Sequence, residues 1–170
     1  LTAANDGSQH TADATGTRDS MTAMSLKPQL PLTVGSGTDP GGASLCPGGP
    51  ATMLNAFTLQ RGSGTDTVSA VAVSLAAGTA AGLSLVEITN DAGTVVYGSV
   101  ANPASDTVAV PLTTNIGVTT TATPYKVRVT PRSHAAMPVP PGASYAVTGT
   151  VTAVTDNSLN TYNDTSSATV

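Results

Sequence analysis

An all-β fold of two packed antiparallel sheets is what this sequence predicts, and three observations predict it. Charged residues make up only 9% of the 170 residues, against roughly 25% in an average soluble protein. Glu87 is the sole glutamate, and Lys27 and Lys126 are the only lysines, so residues that usually line the wet face of a helix are almost missing. Thr, Ser, Ala, Val and Gly replace them. The second observation is period-2 alternation of apolar residues, and the third is turn chemistry placed between the alternating segments.

Residues 1–20 are small and polar without any period, as in an extended arm. From Met24 the chain alternates: Met24, Leu26, Leu30, Leu32 and Val34 are apolar, while Ser25, Lys27, Gln29, Pro31 and Thr33 stand between them. This row reads as a strand with one dry face. Pro28 and Pro31 remove backbone donors, which sends such a strand to a sheet edge or bends it. Residues 35–50 are rich in Gly and Pro and read as a linker. The predicted organisation is therefore an arm and linker over 1–50, with a possible donor strand at 24–34, and a β-sandwich over 51–170.

Short strands are expected at Met53–Gln60, Thr67–Leu75, Leu83–Asn90, Thr94–Gly98, Thr107–Leu112, Tyr125–Thr130, Tyr145–Val154 and Ser166–Val170. Inward rows follow from alternation: Val71, Val73 and Leu75; Val108, Val110 and Leu112; Tyr125, Val127 and Val129; Tyr145, Val147 and Val151. Asn90-Asp-Ala-Gly93 between two apolar runs signals a hairpin. Phe57 and four tyrosines are the whole aromatic supply, so aliphatic side chains must fill the core.

The segment Val139-Pro-Pro-Gly-Ala-Ser-Tyr145-Ala-Val147 resembles the corner of fibronectin type III domains, in which a Pro-Gly turn and a tyrosine lead into the penultimate strand. Over residues 51–170 the resemblance implies an immunoglobulin/fibronectin-like sandwich, with Tyr145 buried and its hydroxyl bonded to the turn. The chain also resembles Thr/Val-rich modules of secreted bacterial surface proteins. It departs from the fibronectin pattern in having no core tryptophan. Some immunoglobulin-like surface domains carry a Lys–Asn amide bond promoted by a buried carboxylate. By that resemblance, Lys126 and Glu87 would be the lysine and the carboxylate if both face the core; if both face solvent, no such bond forms.

Little in the sequence points to catalysis. His10 and His134 lack a metal-ligand spacing, no Gly-x-Ser-x-Gly elbow is present, and Cys46 has no basic neighbour. No catalytic, cofactor or metal residue is expected. Cys46, being alone, makes no internal disulfide. The Asp156–Asp164 loop has oxygen donors suited to calcium but not the EF-hand spacing, and turn formation explains them equally well. Asn163-Asp-Thr165 is a glycosylation acceptor sequence in a host that glycosylates.

The scattered Arg18, Arg61, Arg128 and Arg132 offer no basic patch for nucleic acid, and no apolar run approaches the ~20 residues of a membrane span. A start at Leu1 fits a processed secreted chain or a fragment. The net charge of −4 is thinly spread, so the surface tolerates close contact with copies of itself. The expectation is an extracellular or cell-surface structural subunit that forms a homo-oligomer, filament or coat, with Met24–Val34 either the strand exchanged between copies or the first strand of its own sandwich. The alternative is an adhesin or ligand-binding module that takes a glycan or protein through loops near Tyr97 and Tyr162.

Overall fold

A computed structural model describes residues 30–138, 146–156 and 160–170. The chain is all-β. Its strands are β1 (Leu32–Ser36), β2 (Thr52–Arg61), β3 (Asp66–Leu75), β4 (Leu83–Asn90), β5 (Val96–Ala101), β6 (Thr107–Val118), β7 (Thr123–Pro131), β8 (Gly149–Thr155) and β9 (Asn160–Asn163). They form one nearly closed mixed sheet in the order β8-β3-β6-β5-β4-β7-β2-β1-β9.

Alternation places β2, β3, β4 and β7 close to their expected limits, whereas β5 is shifted to Val96–Ala101 and β6 runs on to Val118, past its expected end at Leu112. Tyr125, Val127 and Val129 of β7 face the core, as do Val108, Val110 and Leu112 of β6. In β3 the inward row changes parity between Val68 and Val71, and a bulge between Val68 and Ala70 accounts for it. The β4–β5 turn is built by Asn90, whose Oδ1 accepts the amides of Thr94 at 2.8 Å and Val95 at 3.0 Å. Gly93 completes that turn with φ +70°, a conformation open to glycine at no steric cost.

The closed sheet has one narrow joint between its six-stranded part and the three-stranded part β8-β3-β6, the single pairing of Gly98 with Leu112. A Cβ on Gly98 would lie 2.9 Å from Leu112 Cα and closer still to the Pro111 carbonyl oxygen. Only a residue without a side chain lets β5 approach β6 this closely.

Three expectations need correction. β1 lies upstream of the expected boundary at residue 51, yet Leu32 and Val34 are fully buried among the core residues of the rest of the chain, so the folded unit begins before the linker. β1 also pairs in cis, antiparallel to β2 and parallel to β9, where an all-antiparallel fold was expected. Leu32 and Val34 thus complete their own sheet. Leu30 lies just ahead of β1, packed over the Gly62 backbone and half exposed, and Met24 and Leu26 lie outside the described residues. Finally, residues 166–170 are not a laddered strand, and β8 starts at Gly149 rather than Tyr145.

Candidate functional site

The sheet would stay open between β8 and β2 were it not for residues 164–170. β1 covers only the Phe57–Arg61 half of β2. Beside the other half, the Ala168 amide donates to the Leu54 carbonyl at 2.8 Å. On the far side, the amides and carbonyls of Val147 and Val170 bond reciprocally, at 2.8 and 3.1 Å. The Gly149 amide donates to Ser167 Oγ at 2.9 Å. Ala168 and Val170 turn inward and are buried, as expected of alternate residues in extended chain. This segment closes the sheet.

Polar residues anchor it. Asp164 is buried, and its Oδ2 accepts the Val151 amide at 2.7 Å. Asn55, fully buried in β2, donates from Nδ2 to the Ser166 carbonyl at 2.6 Å and to Asp164 Oδ1 at 3.4 Å. From the connector between β1 and β2, Asp39 Oδ1 accepts the Ala56 amide at 2.7 Å, next to the Gly37 amide bond to the Ala56 carbonyl. Burial pushes the Asp164 carboxyl above its ordinary range, and the nearby Asp39 charge adds to this. Bonds from Val151, Asn55 and Ser36 pull the other way and lose. Sequence reasoning did not find this cluster. Its one visible sign is Asn55, a polar residue standing between Leu54 and Ala56 in β2.

The remaining candidates are dispersed. Lys126 pairs with Asp91 at 3.3 Å, and Glu87 pairs with Arg128 at 3.1 Å. Both pairs lie on the outer face, because Lys126 and Arg128 alternate with the inward Tyr125, Val127 and Val129, so the arrangement needed for an amide cross-link is not formed. Tyr97 packs edge-on against Tyr125 with ring centroids 5.7 Å apart, and the Tyr162 hydroxyl bonds to Val154 and Asn160. Tyr162 itself is 41% exposed. His134 sits in an exposed turn and Cys46 is exposed. His10 and Tyr145 lie outside the described residues. Of the Asp156–Asp164 loop, residues 157–159 also lie outside them; Asn160 bonds Asp156 at 2.8 Å, while Asp164 points into the seam. Among the described residues no group of three or more His, Cys, Asp or Glu is placed to hold a metal ion, and no helix is long and apolar enough to cross a membrane.

No protein-family model matches the chain, and no curated protein matches it either.

Proposed function

We propose that the chain is an extracellular structural subunit that packs against copies of itself in a filament or surface coat. One observation carries this reading: the outer face of β8-β3-β6. Its side chains form three cross-strand rows, Thr155-Ala70-Pro111, Ala153-Ala72-Ala109 and Thr150-Ser74-Thr107. None bears a charge, and all are small. A protein surface normally keeps copies apart with a quarter to a third of charged residues. This face has no charge to desolvate and little side-chain entropy to lose on contact.

The sandwich of the immunoglobulin/fibronectin kind belongs to the same reading, with the Pro-Gly-Ala-Ser-Tyr145 segment in its support.

Sedimentation velocity of the purified chain tests the proposal. Concentration-dependent association that Ala72→Lys weakens supports it, since a charge would then enter the middle row. A monomer at all concentrations counts against it.

A further inference from the structure

We propose that Asp164 is a proton-operated latch on the closing segment, holding the seam between β2 and β8 more firmly when protonated than when ionised. The inference is independent of self-assembly and rests on how the seam is built. Residues from five parts of the chain meet there: Ser36 from the end of β1, Asp39 from the connector, Asn55 and Ala56 from β2, Val151 from β8, and Asp164 itself. The charged group facing Asp164 is Asp39. β1 offers a hydroxyl and β2 and β8 offer amides, so no cation among these neighbours offsets the two carboxylates.

An ionised Asp164 leaves the cluster one donor short. Asn55 Oδ1 is buried and has no hydrogen-bond partner, although a buried acceptor without a donor is costly. Its own amide nitrogen is committed to the Ser166 carbonyl and, loosely, to Asp164. A carboxylic acid at Asp164 adds an O–H donor to a cluster in which Asn55 Oδ1 lacks one. Taking up one proton therefore removes a buried charge and ends its repulsion with Asp39.

The direction of the pH effect follows. A carboxyl that binds its proton more tightly in the fold than in the unfolded chain stabilises the fold progressively as pH falls toward the ordinary carboxylate range. At neutral pH the ionised group costs stability. The latch tightens in mild acid.

Two measurements on the intact chain test this. Carbon-13 carboxyl NMR should show Asp164 titrating above the exposed aspartates, with its midpoint moving down in Asp39→Asn. Urea unfolding from pH 7 to pH 4.5 should show wild type gaining on Asp164→Asn by at least about threefold in the folding equilibrium. Hydrogen exchange at Val151 and Ala168, corrected for intrinsic rates, should slow over the same interval relative to Asp164→Asn. An Asp164 midpoint at or below that of the exposed aspartates would overturn the proposal, even if Asp164→Asn fails to fold. Parallel stability curves for the two proteins would overturn it as well.

Discussion

Arg128 and Glu87 face each other across β7 and β4, with Nη2 donating to Oε2 at 3.1 Å while Nη1 donates to the Gly93 carbonyl, also at 3.1 Å. One guanidinium thus ties two strands to the β4–β5 turn. Two positions away on β7, Lys126 meets Asp91, whose side chain is 58% exposed.

These two pairs should differ sharply in worth. Arg128→Ala leaves the Glu87 carboxylate, only 12% exposed, without its cation, and should cost about 1–3 kcal/mol. Lys126→Ala should cost less than about 0.5 kcal/mol, as exposed pairs usually do. Urea unfolding of both variants checks the contrast.

Leu32→Asp should prevent folding or destabilise the chain by more than about 4 kcal/mol, because it puts a charge where Leu32 has no exposure at all. Leu30→Asp, at a position 44% exposed, should be tolerated within about 1 kcal/mol. Circular dichroism with thermal melts separates the outcomes.

Gly98→Val should destabilise by about 1–3 kcal/mol or more, since its side chain has no room against Pro111 and Leu112. Gly64→Ala, which meets no neighbour but sits at φ +69°, should lose only the backbone cost of about 1 kcal/mol. Denaturant midpoints for the two variants test the difference.

Asp106 should show a pH dependence opposite to that of Asp164. Its carboxylate accepts the amides of Ala80 at 2.9 Å and Gly78 at 2.7 Å, and these bonds hold it below the ordinary carboxylate range. Asp106→Asn should therefore lower stability at neutral pH. That deficit should shrink as pH falls below about 4, where wild type loses its own carboxylate. A constant deficit down to pH 2 in urea unfolding would contradict the assignment.

Much of the fold was legible because one-face burial writes itself into alternation. β2, β3, β4 and β7 lie within a residue or two of their expected limits, and the Asn90–Gly93 turn follows from its residue types. Strand partnership was not legible. Alternation from Leu30 to Val34 marks a strand, yet nothing in it says whether β2 of the same chain or of another will receive it. The seam was hidden for a related reason: Asn55 and Asp164 are 109 residues apart, and neither forms a local motif. Glu87 and Lys126 sit mid-strand as expected, but their facing depends on registers that alternation alone does not give.

Negative-stain electron microscopy of the purified chain at neutral pH shows whether copies of it assemble. Self-assembly predicts filaments or sheets of regularly repeating subunits, disrupted when Ala72→Lys places a charge on the β8-β3-β6 face. Dispersed single particles of monomer size, at concentrations well above those of ordinary weak association, would contradict it.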